Sequence, residues 1–271
     1  MERNIWERSL EEREEKQKGL VREALIGAYA AREPLVMDLI FRFLQYEKKF
    51  PLDLVHKIAD RMARITVCTI VVTHDEIMQI VKDLPEQFAI ARGPCACRLH
   101  TAGPLGPDAR DLAAGDLRLC RQTPLNVDIQ IAACGTKFGT LNTYRRIDKE
   151  ELLALEDECF NLGLVSNIYI IMGGEAGICH CSSATCVPLL ANEAIGGKSS
   201  VIVKGKFIAR TDPALCDAAG DCVKVCHFHA RRLVDKDGRK VLSVDAGRCY
   251  GCGLCAAVCP RGAIAMVPRR A

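Results

Sequence analysis

The feature that most constrains this chain is the run Cys249-Tyr-Gly-Cys252-Gly-Leu-Cys255-Ala-Ala-Val-Cys259-Pro260. Its spacing, C-x2-C-x2-C-x3-C-P, is a thiolate pattern for iron–sulfur clusters. Three thiolates at this spacing wrap one cube of iron and sulfide, and glycines between them let the backbone turn closely around it. The fourth, followed by Pro, leads away into a helix and serves a neighbouring cluster. A disulfide framework is the competing explanation for clustered cysteines, but it belongs to secreted chains.

A second copy of the run lies upstream. A shift of 33 residues (216 to 249) places Cys216 on Cys249, Cys222 on Cys255 and Cys226 on Cys259. Asp212 falls on Asp245, Val225 on Val258 and Ala230 on Ala263. This internal repeat resembles the two-cluster bacterial-type ferredoxins over residues 205–268. In that family the first three cysteines of one repeat and the last of the other bind each cluster. The resemblance implies that Cys249, Cys252, Cys255 and Cys226 hold one complete 4Fe–4S cluster.

The other implied set is Cys216, Cys222 and Cys259, and it is one ligand short. Ala219 stands where Cys252 stands in the second copy, and a methyl group ligates no iron. Three readings stay open. The site holds a 3Fe–4S cluster on three thiolates, or a second 4Fe–4S cluster whose fourth iron takes Asp217, Asp221 or water, or only buried thiols. His227 replaces the usual Pro after Cys226. His227 and His229 are expected to be exposed or hydrogen-bonded rather than ligands, in a position to tune a cluster through charge or hydrogen bonds.

The chain has 271 residues, 16 cysteines and a formal net charge of +3. That length suffices for more than one domain. Met1-Glu-Arg-Asn-Ile-Trp-Glu-Arg has no apolar core of a signal peptide. The most apolar stretch, Leu35 to Leu44, is short and broken by Asp38 and Arg42, so no membrane span is expected. The expected location is the cytoplasm, where thiols stay reduced and cysteine clusters signify metal. The small net charge gives no case for nucleic acid.

Residues 5–33 read as a charged helix, with Leu20, Leu25 and Ile26 starting an apolar stripe. Helices continue over 35–64, with Leu35, Leu39, Ile40 and Phe43 on one face and Pro51 opening a further helix. The β-branched run 65–72 reads as a strand or buried connection, and Cys68 within it as core. Thr73 and Glu76 fit a capping box for a helix to Lys82. Residues 99–119 read as an inserted loop. Asp148 and Glu151 start a helix with Leu152, Leu155, Cys159 and Leu162 inward, which Gly163 ends. Residues 165–172 read as a strand. The expected fold class is α+β: a mostly helical region 1–84, a Cys-rich α/β segment 85–200, and a ferredoxin-like two-cluster module 205–271.

The middle segment carries Cys95, Cys97, Cys120, Cys134, Cys179, Cys181 and Cys186. Gly173, Gly174 and Gly177 precede the last three and let backbone N–H groups approach sulfur. This glycine loop lacks the Lys-Ser/Thr of a phosphate-binding loop and is no dinucleotide fingerprint. Residues 85–271 resemble a group of ferredoxin-type proteins of anaerobes. The match is carried by Cys95-Ala-Cys97-Arg98, Cys120 with Pro124, Cys134 with Phe138-Gly139, Gly163-Leu164-Val165 and Ile178-Cys179-His-Cys181. The seven cysteines offer a third iron–sulfur cluster, a zinc site, or buried thiols alone. Arg98 is read as a thiolate donor, a contact for an acidic partner, or an ordinary surface residue.

The ferredoxin resemblance implies electron transfer to or from a redox partner protein, in an anaerobic oxidoreductase system. No Ser-His-Asp constellation and no flavin or nicotinamide fingerprint stands beside it. An iron–sulfur enzyme with a substrate-binding cluster in 95–186, and a redox or iron sensor, are the alternatives. The sequence leaves the oligomeric state open.

Overall fold

The computed structural model describes residues 67–98, 124–141, 143–171, 175–194, 197 and 202–269. The expected N-terminal helices, the loop 99–119, Cys120 and the side chain of Cys68 lie outside the described residues.

The described part of the N-terminal region is a strand and a helix, not helices alone. Its strand, β1 (Val67–Val71), joins a sheet of seven strands. The others are β2 (Ile90–Gly93), β3 (Asp128–Ile131), β4 (Arg145–Ile147), β5 (Val165–Ile171), β6 (Glu175–Cys181) and β7 (Ile202–Val203). Their order is β4-β2-β3-β6-β5-β1-β7. Every pairing is antiparallel except β1 with β7. A break drawn at residue 84 therefore falls within one sheet, whose first strand precedes it and whose other strands follow it.

Helices α1 (His74–Lys82) and α3 (Lys149–Asn161) cover one face of this sheet. The Thr73 hydroxyl accepts the Glu76 amide while the Glu76 carboxylate accepts the Thr73 amide, a box of about 1 kcal/mol. Asp148 caps α3 by accepting the Glu151 amide at 2.8 Å. Gly163, at φ +76, ends it with Leu164 N–H on Cys159 O and Gly163 N–H on Phe160 O. Ile77, Val81, Leu152, Leu155 and Cys159 bury their side chains against Ile129, Ile131, Ile168 and Ile178. Strand alternation sends Ile178 and His180 of β6 to this face and Cys179 and Cys181 to the other. Helix α2 (Ala132–Phe138) covers part of that second face, with Cys134 and Phe138 against Tyr169.

After α4 (Val187–Ala194) and β7, the chain builds the repeat as a pseudo-two-fold unit. Strands β8 (Phe207–Thr211) and β11 (Ile264–Pro268) pair antiparallel, as do β9 (Arg231–Lys236) and β10 (Arg239–Val244). Two short helices, α5 (Asp221–Lys224) and α6 (Leu254–Ala257), carry Cys222 and Cys255. The repeats are stitched reciprocally. Asp212 N–H donates to Ala263 O and Asp245 N–H to Ala230 O, both at 2.8 Å. Among the described residues no helix is long and apolar enough to cross a membrane.

Candidate functional site

The repeat encloses two hollows. The first has about 330 Å³ of atom-free space and is walled by Cys226, Cys249, Cys252 and Cys255. These are the four residues that the repeat logic groups together, three from one copy and one from the other. Ala230 N–H donates to Cys226 Sγ at 3.3 Å. Burial pushes the Cys252 thiol up strongly and the Cys255 thiol up to about 11. Unmetallated, these groups keep their protons at neutral pH, and binding a metal displaces them. The turn that spaces them requires Gly251: its φ is +86, and a Cβ there would stand 2.2 Å from Phe207 O. Four thiols around one hollow, with an amide aimed at sulfur, fit a 4Fe–4S cluster.

The second hollow, about 350 Å³, is walled by Cys216, Cys222 and Cys259, with Ala219 on its lining. Ala263 N–H donates to Cys259 Sγ at 3.3 Å, matching its counterpart in the first hollow. The backbone repeats too. Positive φ at Gly251, Gly253 and Gly262 recurs at Ala218, Gly220 and His229. Ala218 and His229 thus hold left-handed conformations, at about 1–2 kcal/mol each. The backbone of the first copy follows that of the second although Ala219 stands where Cys252 does. Asp217 and Asp221 also line this hollow. Asp217 accepts the Ala219 amide at 3.2 Å, and Asp221 pairs with Lys224 at 2.8 Å.

Between the two hollows lies Arg231, buried to 4% exposure. It donates to Thr211 Oγ1 at 2.9 Å and to Ala209 O at 3.5 Å. Its charge opposes the burial that raises Cys222 and Cys255. The 33-residue shift puts it on Ile264, so the comparison of copies could have singled it out.

Five upstream thiols also come together: Cys95, Cys97, Cys179, Cys181 and Cys186. They touch in the order 95–97–186–181–179, with Cys186 Sγ 3.3 Å from Cys181 Sγ. All five are pushed well above the ordinary thiol range. For Cys95, Cys97, Cys181 and Cys186 the adjoining thiol is the first cause, followed by burial. Cys179 is held down by Cys181, but burial and the Asp128 charge prevail. None of the five is disulfide-bonded. Cys134 lies in the adjoining apolar core with Cys179. Among the described residues, no three His, Cys, Asp or Glu side chains surround one point as a single metal ion requires.

Three features around this nest carry no local sequence signal. Arg98 is not on the surface. It is buried and donates to Pro124 O at 2.6 Å and His180 O at 2.7 Å, tying the Cys95–Cys97 loop to β6. Asp128 accepts from Tyr144 (2.6 Å), Gln130 (2.8 Å), Tyr169 (3.1 Å) and the Cys179 thiol (3.4 Å), while burial pushes its carboxyl up. On the opposite face His180 Nε2 lies 2.9 Å from Glu156, both fully buried. Burial alone would lower the His180 imidazole, but the Glu156 charge, with Cys159, holds it well above its usual range.

The nest adjoins the first hollow. Cys181 and Cys186 share an apolar core with Phe228, Tyr250 and Leu254, against which Cys226 and Cys252 also pack. Phe228 and Tyr250 stack with centroids 4.2 Å apart, and the Tyr250 hydroxyl donates to Asn192 at 3.0 Å. His227 is buried and hydrogen-bonded, as one of the two expectations for it had it.

The 4Fe–4S dicluster domain family matches residues 215–263. An uncharacterized ferredoxin of Methanocaldococcus jannaschii is 38% identical over 84 residues, covering 30% of this chain and 46% of that protein. A protein named as a ferredoxin in Sinorhizobium fredii is 32% identical over 77 residues, covering 21% of this chain and 73% of that one. The chain thus spans about half the length of the first relative and most of the second. Through its C-terminal 4Fe–4S dicluster domain, the chain belongs to the ferredoxins.

Proposed function

We propose that this chain is an iron–sulfur electron-transfer protein that serves a redox partner protein in an anaerobic oxidoreductase system. The observation that carries the reading is the hollow walled by Cys226, Cys249, Cys252 and Cys255. Those four thiolates hold a 4Fe–4S cluster. When bound, such a cluster supplies one-electron chemistry with little change of shape. The chain's residues do the rest. Ala230 N–H donates to the Cys226 sulfur, which favours the reduced cluster. Phe228 and Tyr250 exclude water on one side, and Arg231 offsets the negative charge of the thiolates.

Cys216, Cys222 and Cys259 hold a 3Fe–4S cluster. The retained left-handed positions at Ala218 and His229 favour this over empty thiols, because strain persists where a structure needs it. The existing bonds of Asp217 and Asp221 favour it over carboxylate ligation. Residues 205–271 form the electron-transfer unit, and the sheet that precedes it is its platform. Leu215 and Val258, each next to a cysteine of this site, are exposed apolar side chains suited to a partner's surface.

A second reading, an iron–sulfur enzyme, is favoured by the buried Asp128 beside Cys179. Turnover of a substrate with chemical reductant would select it. The test of the main reading is EPR of the reduced, anaerobically purified chain. Cys252→Ala should remove one cluster's signal and leave the others, and an unchanged spectrum overturns the assignment.

A further inference from the structure

Five thiols stand outside both ferredoxin hollows and have no part in the dicluster domain. We propose that Cys95, Cys97, Cys179, Cys181 and Cys186 form a third metal centre, and that it takes a polynuclear iron–sulfur cluster.

The donor set is the first argument. Three separate stretches of chain, the loop after β2, strand β6 and the start of α4, deliver nothing but sulfur to one place. The imidazole between Cys179 and Cys181 is turned to the opposite face and pairs with Glu156. Asp128 is the one carboxylate in contact, and it is held by Tyr144, Gln130 and Tyr169 as well as by Cys179. A site in which soft thiolates predominate selects iron–sulfur clusters or zinc.

The arrangement decides between those two. The thiols neighbour one another in the order 95–97–186–181–179, and Cys95 and Cys97 also act on Cys179, so the five form a closed group rather than a line. Among the described residues no three converge on a single point. A tetrahedral zinc site needs that convergence. A cluster of several irons needs thiolates distributed around it, one to an iron, and a closed group of five supplies four with one to spare.

The scaffold is the third argument. Packing alone gives buried thiols no use for a guanidinium, which is costly to bury. Yet Arg98 is 3% exposed and spans from the loop of Cys95 and Cys97 to the carbonyl of His180. It fixes the two thiol-bearing segments together, and its positive charge already favours the Cys95 thiolate. An anionic cluster of thiolates and sulfide beside Cys95 would gain from that positive charge.

The position is the fourth. Cys181 and Cys186 lie in the same apolar core as Cys226 and Cys252. Two paramagnetic clusters placed so would broaden each other's EPR lines.

The test counts iron, sulfide and zinc per full-length chain after anaerobic purification, in wild type and in C97S/C186S. The expected result is a loss of about four irons in the variant, one cluster's content, while the signal that C252A removes persists with narrower lines. Equal iron in both chains overturns the proposal, and so does zinc in place of iron. Should C97S/C186S fail to fold, C216A/C249A/C252A decides, because it leaves only two thiols in each ferredoxin hollow. Iron and sulfide retained at about four per chain support the third centre, and an iron-free folded chain overturns it. Failure of the ferredoxin assignment would appear instead as indifference of the spectrum to C252A, so the two are separable.

Discussion

His227 Nδ1 accepts the Ser183 amide at 3.1 Å. The same ring donates from Nε2 to Gly163 O at 2.7 Å. One imidazole, placed directly after Cys226, therefore fastens the ferredoxin unit both to the end of α3 and to the turn between Cys181 and Cys186. The second copy has Pro260 at this position, which has no such ring to offer. His227→Pro restores the usual ferredoxin residue and removes both bonds. We expect it to keep the cluster signals and to cost roughly 1–3 kcal/mol of stability, with the Gly163 and Ser183 groups left unpaired. Thermal unfolding beside iron content checks this, and a variant as stable as wild type would show the bridge to be idle.

Ala219→Cys supplies the thiol missing from the second hollow. With a 3Fe–4S cluster in wild type, the variant gains about one iron per chain. The EPR signal of the oxidised state should disappear with that gain. A gain of about four irons would mean that the wild-type hollow holds no cluster.

Gly251→Ala puts a methyl group against the Phe207 carbonyl in a backbone conformation that disfavours it. The strain is on the order of 1–3 kcal/mol before any clash is counted. The expected outcome is loss of the cluster at Cys249, Cys252 and Cys255 in iron analysis. The corresponding Gly247→Ala meets only the Asp245 carboxylate at 3.1 Å and should be mild.

Arg231→Ile copies the residue of the second repeat into the first. It removes the buried positive charge that faces both hollows, so the reduced clusters lose stabilisation. Potentiometric titration should show a shift to more negative potential of roughly 59 mV, a tenfold change for one electron. Arg231→Lys should recover much of it, and a potential that ignores both changes would remove the charge from the account.

Features written in local spacing were legible. The 33-residue repeat, the Thr73 and Asp148 caps and the stop at Gly163 each depend on residues a few positions apart. The grouping of Cys226 with Cys249, Cys252 and Cys255 is what the ferredoxin resemblance implies, and the same four line one hollow. What depends on distant pairing was not legible. The run at 65–72 reads as a strand or a buried connection, and nothing in it names β5 as its neighbour, so a boundary at residue 84 cuts across the sheet. None of the three readings of Arg98 names the two backbone carbonyls it donates to, because backbone acceptors have no sequence signature. The seven middle cysteines look equivalent in sequence. Only the Asp128↔Cys179 register of β3 and β6 shows which of the described ones face the nest.

The reciprocal amides of Asp212 and Asp245 join halves that also exchange a cysteine each. Cys226 belongs to the first half in sequence and to the second half's hollow in space, and Cys259 makes the opposite trip. Neither half is self-sufficient. A thiol lost from either half would therefore be felt in the other half's hollow. The same crossing makes the first half indispensable whatever its own hollow contains, since without it the complete site would have three thiols instead of four.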